Sequence, residues 1–214
     1  MFIPRHPVVE NQFCSYGAQT TTGTAGVGGV ICYAGAVVYL DPTDTSEDAT
    51  VFAYGAYSAG GYEEPFGFAM QKVKTGYHQV HPTGYMLAGD LGSSDVIAQP
   101  SYSSGAINGT KAAPLGVAHL GIWDTVHYTC KNASGTITAG SEMDPGDKLY
   151  VAANAASRVT NCATVATDTT NDGECISAAA IYQVGRVVKG ASKAKCEANI
   201  ANTTLYPIRI KLFI

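Results

Sequence analysis

The sequence predicts an all-β protein built of small β-barrel or sandwich modules, and three observations carry that expectation. No segment holds an apolar stripe of helical period over three turns. Runs rich in Val, Ile, Tyr and Phe recur between turns supplied by Gly, Pro and Asp. The final stretch "PIRIKLFI" alternates cleanly. Ile208, Ile210, Leu212 and Ile214 fall on one side and Arg209 and Lys211 on the other, the period of a half-buried strand.

The elements follow in order. "MFIPRHPVV" contains Pro4 and Pro7, each of which removes a backbone donor and biases its predecessor to extended geometry. Residues 1–14 therefore read as an extended N-terminal arm with an apolar tip at Phe2, Ile3 and Pro4, suited to docking on its own fold or on a partner by strand addition. "VICYAGAVVYL" is a strand region punctuated by Gly35, "DPTDTSED" an acidic turn, "TVFAYG" a short strand and "PFGFAMQKV" (65–73) another. Residues 76–113 are too rich in Gly, Ser and Pro, and too long, for a plain connector. They suggest an insertion holding either a short helix around "DLGSSDVIA" or an exposed functional loop.

"PLGVAHLGIWDTVHYTC" reads as two strands, 115–120 and 122–130. In the second, Ile122, Asp124, Val126, Tyr128 and Cys130 share one face and Trp123, Thr125, His127 and Thr129 the other. "DKLYVAA", "RVTNCAT", "AIYQVGRVVKG" and the closing stretch supply the remaining strands. The expected organisation is the arm (1–14), a first β unit (15–125) with its insertion near 76–113, and a second β unit (126–214). The two units form either separate modules or one domain.

Charged residues make up 14% of the chain, against roughly 25% in an average soluble protein. Few charges and many small residues fit a surface partly covered by neighbours, or an ordinary small-residue β protein. With net charge −4 and only 13 Lys and Arg, the chain lacks the basic stripe that neutralises phosphates; "KGASKAK" (189–195) is short, so no nucleic-acid partner is expected. The start carries no basic and apolar leader pattern. The uncharged stretch from Asn11 to Leu40 has an apolar part of only 14 residues, "VGGVICYAGAVVYL", short of the roughly 20 a membrane helix needs. No membrane association is expected.

The six cysteines form no CxxC and no zinc-like spacing with His, so packed, reduced thiols are the default. Cys162 and Cys175 bracket a polar loop, and a bond between them would need an oxidising medium. "HQVHP" (His78, His81) reads as loop surface rather than a metal site. The acidic runs Asp41, Asp44, Glu47, Asp48 and Asp168, Asn171, Asp172, Glu174 read as solvated turns rather than calcium loops. Glu63 and Glu64 are adjacent, and on a strand would point to opposite faces, so they fail as an acid/base pair. No catalytic motif is present, and no enzyme activity, metal or cofactor is expected. Tyr54, Tyr57 and Tyr62, in a Gly/Ser-rich stretch, are candidate partner-binding side chains together with Phe2, Ile3 and Pro4.

One phrase occurs twice. "AGAVVYLDP" (34–42) and "PGDKLYVAA" (145–153) both run Gly, two residues, an aliphatic, Tyr, an aliphatic. Each leads to a later strand through a glycine: Gly35 to Gly67 spans 32 residues and Gly146 to Gly185 spans 39. "PLGVA" at 114 echoes "PFGFA" at 65. Two related β modules, or two layers of one barrel, would write such a repeat.

"GDKLYV", an excursion containing "RVT", "VGRVV" and a terminal "PIRIKL" resemble the small β-barrel decoration (cement) proteins of tailed-bacteriophage capsids. The match covers 144–214 and, more faintly, 30–75; the 76–113 insertion lies outside it. The resemblance implies a structural virion protein on the outer capsid surface, made in the host cytoplasm. It implies the major capsid protein as partner, a homotrimer or other homo-oligomer, reinforcement of the shell, and an arm pairing with a shell strand. A tail-tube or fibre-base subunit is the structural alternative. A carbohydrate-binding or adhesive β-sandwich is the alternative of a different class, suggested by the Tyr residues beside acidic loops.

Overall fold

In the computed structural model, residues 2–5, 11–16, 30–41, 49–53, 64–75, 96–98, 115–130, 137, 140, 142–152, 157–163, 182–201 and 203–214 are described. They form strands β1 (Phe2–Pro4), β2 (Asn11–Tyr16), β3 (Val30–Cys32), β4 (Val37–Leu40), β5 (Thr50–Ala53), β6 (Pro65–Ala69), β7 (Val73–Thr75) and β8 (Val96–Ala98). There follow β9 (Leu115–Ala118), β10 (Leu120–Thr125), β11 (Tyr128–Thr129), β12 (Lys148–Val151), β13 (Val159–Thr160), β14 (Gln183–Lys189), the short helix α1 (Lys193–Ile200) and β15 (Ile208–Phe213). The protein is mostly β. Among the described residues, no helix is long and apolar enough to cross a membrane.

Two curled sheets carry the architecture. One is a closed barrel in the order β2-β5-β4-β6-β9; the other has seven strands, β1-β10-β15-β14-β12-β13-β11. A small third sheet, β3-β7-β8, shares no ladder with either, and Cys32 of β3 packs in the core of the barrel. Within the 76–113 insertion, Val96–Ala98 is a strand parallel to β7, which excludes a helix at these three residues.

The repeated phrase is a repeated structure. Gly35 (φ +90°) and Gly146 (φ +97°) both sit in the left-handed region, the turn geometry that favours glycine. Three residues later Val38 stands opposite Gly67 and Leu149 opposite Gly185, in antiparallel pairs. One step further the register shifts in both pairs, between Val38 and Tyr39 and between Leu149 and Tyr150, so Tyr39 faces Pro65 and Tyr150 faces Gln183. Each bulge thus sits on the Gly-bearing strand and skips one residue of it, Phe66 or Val184.

The likeness extends beyond this pair. β4 pairs antiparallel with β5 as β12 does with β13; β5 pairs parallel with β2 as β13 does with β11; β6 pairs with β9 as β14 does with β15. β2 joins β9 and β5 as a single strand. Its counterpart is β10 with β11, pairing with β15 and β13 and interrupted by only Val126 and His127.

That interruption corrects the face assignment for 122–130. His127 N donates to Thr125 Oγ1 at 3.0 Å, a local turn that displaces the alternation. As a result Trp123, Tyr128 and Cys130 are all buried in one core cluster, where unbroken alternation would set Trp123 against the other two.

The strand β4 explains why "AVVYL" is continuously apolar. Val37 and Tyr39 pack into a core shared with Trp123, Tyr128, Leu149, Ile208, Ile210 and Leu212, while Ala36 and Val38 pack inside the barrel with Cys14, Val51, Leu115 and Val117. Both faces are buried from Ala36 to Tyr39, so the usual polar alternation disappears there, while Leu40 at the strand's end is exposed. Phe68 and Ala118 join the shared core from the barrel side. Val37 N donates to Ser157 O at 2.9 Å, tying the two sheets directly.

The N-terminal segment is part of this architecture. Phe2–Pro4 pairs with Trp123–Thr125 of β10 at the edge of the seven-stranded sheet. Phe2 is 8% exposed, its ring stacked at 4.4 Å from that of Trp123 and 5.8 Å from that of Phe68. Of the two docking modes open to the apolar tip, its own fold is the one observed. The second half of 1–14 begins β2, and β10, N-terminal to residue 126, belongs to the second sheet.

Candidate interaction surface

The surface with the most distinctive chemistry is the outer face of the seven-stranded sheet. Ile208, Ile210 and Leu212 of β15 point to the core, so Arg209, Lys211 and Phe213 point away from it. Register then fixes their neighbours. Phe213 lies opposite Leu120, Lys211 opposite Ile122 and Arg186, and Arg209 opposite Asp124 and Lys189. Arg186 in turn lies opposite Lys148. The register shift between Val187 and Lys189 returns Lys189 to the outer face.

Two rows result. The first runs Lys148, Arg186, Lys211, Ile122 across four strands. At the usual strand spacing of about 4.8 Å, three cations occupy about 10 Å of sheet. Like charges directly opposite one another are destabilising. Among the described residues neither Lys148 nor Lys211 forms an ion pair, and Arg186 Nη1 donates to the backbone oxygen of Gly146 at 3.1 Å. Asp144 and Asp147 lie in the turn before β12; Asp147 Oδ2 is engaged by Asp144 N at 2.9 Å and Asn161 Nδ2 at 3.0 Å. The exposed apolar side chains Leu120 (38%), Phe213 (37%) and Val188 (43%) adjoin the row.

The second row is neutralised at its centre. Asp124, with 8% of its side chain exposed, accepts from Arg209 Nε at 2.8 Å on Oδ1 and from Arg5 Nε at 2.6 Å on Oδ2. The hydrogen bond from Arg209 holds the carboxyl below its ordinary pKa; partial burial opposes this, and the hydrogen bond from Arg5 adds to the lowering. Arg209 is raised in return by the same contact. Arg5 N also donates to Ile122 O at 2.7 Å, so the N-terminal strand is clamped by charge and backbone together.

A second cluster lies below the sheet. Helix α1 was not expected from the sequence; it spans only two turns, within "SKAKCEANI". Lys193 and Glu197 form an i,i+4 pair at 3.8 Å, and Asn199 Nδ2 donates to Val126 O at 3.0 Å, seating the helix on the β10–β11 break. Cys196 is thereby buried beside Cys130 in the core. A thiol hydrogen bond with Cys130 holds Cys196 below the ordinary thiol pKa, against burial. Burial pushes the Tyr128 phenol up; its hydroxyl donates to Tyr206 O at 3.0 Å.

Of the side chains singled out in the sequence, Phe2 is in the core and Ile3 and Pro4 lie in the β1 backbone pairing. Tyr54, Tyr57 and Tyr62 lie outside the described residues, as do His78, His81, Asp44, Glu47, Asp48, Asp168, Asn171, Asp172 and Glu174. Among the described residues no three His, Cys, Asp or Glu side chains gather as a metal-ligand set. Cys162 is disulfide-bonded, to a partner outside the described residues; this corrects the default of reduced thiols, which Cys14, Cys32, Cys130 and Cys196 follow. The cation row is not legible in the sequence because its members are spread from 148 to 211. Only the register of three strand pairs assembles it.

No protein-family model matches the chain, and no curated protein or solved structure matches it either.

Proposed function

We propose that the chain is a structural, non-catalytic virion protein that coats the outer surface of a tailed-phage capsid and braces the shell, acting as a homotrimer or other homo-oligomer against the major capsid protein. The observation that carries this reading is the doubled strand pair. "GAVVYL" and "GDKLYV" open β4 and β12, and each pairs through the same glycine-centred bulge with a second strand. This turn-and-strand grammar is what the resemblance to capsid decoration proteins rests on. Two barrel-like units sharing one core present wide sheet faces, which suits a protein whose task is to hold neighbours in place.

The test uses particles that lack the chain. Shells without it are expected to rupture at lower temperature, and adding the purified chain should restore the higher value, since a ligand of the assembled state stabilises by mass action. Identical rupture temperatures with and without the chain overturn the reading.

A further inference from the structure

We propose that the outer face of the seven-stranded sheet binds the acidic N-terminal half of a second copy of this chain, in a head-to-tail contact. The face supplies the cations Lys148, Arg186 and Lys211 in one cross-strand row, with Lys189 beside Arg209 in the next. The sequence supplies the complement. Residues 183–214 carry six Lys and Arg against the single acid Glu197, whereas residues 1–100 carry nine acids against three bases. Some of those acids flank one end of the barrel. Asp41 follows β4 and Glu64 precedes β6, and Tyr39 stands opposite Pro65, so both leave the barrel at the same place. The sequence continues from there into Asp44, Glu47 and Asp48 on one side and back to Glu63 on the other.

A second copy is favoured over nucleic acid because the cation row is bordered by exposed Leu120, Phe213 and Val188, apolar side chains that a protein surface covers and a phosphate backbone does not. The contact relieves the cross-strand repulsion of the row and sets the orientation of the incoming copy. Because the two patches differ, the contact is heterologous, so it propagates into a closed ring or an open chain. This inference deepens the homo-oligomer part of the proposed function, and its failure would leave the shell-rupture test of that reading untouched.

The experiment is sedimentation of the purified full chain at about 0.05 M and about 1 M salt, where screening differs severalfold in range. Association at low salt that weakens at high salt is expected. The variant K148E/R186E/K211E should associate roughly tenfold more weakly at low salt, with unchanged melting. The acid-reversed variant D48K/E63K/E64K should also lose self-association, and mixing the two variants should restore it as a mixed assembly. The proposal is overturned if the wild type is monomeric at low salt, if the face-reversed variant associates like the wild type, or if the mixture fails to assemble. It is equally overturned if the face captures a DNA duplex while the chain stays monomeric.

Discussion

Arg5 Nε lies 2.6 Å from Asp124 Oδ2, joining the start of the chain to the C-terminal end of β10. With Arg209 on the other oxygen, the carboxylate is held in its charged form, below the ordinary value of 3.8. A carboxyl with a depressed folded-state pKa binds fewer protons in the native than in the unfolded chain. Its contribution is therefore present above the unfolded value and is lost as pH falls through the folded one. Denaturant unfolding from pH 6 downward should show stability declining below about pH 4, and Asp124→Asn should flatten that decline. At neutral pH the same variant should be less stable by roughly 2 kcal/mol. An unchanged acid limb in Asp124→Asn would remove Asp124 from the explanation.

The stacked ring of Phe2 makes the N-terminal strand part of the core. Phe2→Ala should cost about 3 kcal/mol in thermal or chemical unfolding, in the range for a buried aromatic. A change below about 0.5 kcal/mol, as expected of a surface site, contradicts the stacking between Trp123 and Phe68.

The two glycines at the matched bulges should respond alike to a methyl group. A Cβ at Gly67 would collide with Val117 Cγ1 and lie 2.9 Å from Ala118 O, and one at Gly185 would lie 2.7 Å from Lys211 O. In each case the strand must shift, so Gly67→Ala and Gly185→Ala should each destabilise by about 2 kcal/mol. Neutral behaviour of either would break the equivalence of the two units.

With Cys162 in a disulfide, two of the six sulfurs are taken. Denatured without reductant, the chain should present four titratable thiols to a disulfide reagent, rising to six after reduction. Six thiols before reduction would contradict the bridge.

Much of the fold was legible because it is written locally. The closing strand followed its alternation, with Ile208, Ile210 and Leu212 inward. The repeat of Gly, aliphatic and Tyr announced two strand pairs that share register as well as composition. What was hidden depends on contacts distant in sequence or on breaks one residue long. A hydrogen bond between His127 and Thr125 resets a face that periodicity reads as unbroken. Helix α1 is too short to establish a period, and its seat is supplied by Asn199 bonding Val126, 73 residues away. The cation row needs β12, β14 and β15 side by side before Lys148, Arg186 and Lys211 become neighbours.

The most direct test of the account is to count this chain in purified particles by quantitative mass spectrometry, against the major shell protein. The account predicts a ratio near one, or a simple fraction of it, as a decoration layer requires. A handful of copies per particle would place the chain in a tail or fibre base, and its absence from particles would contradict the account outright.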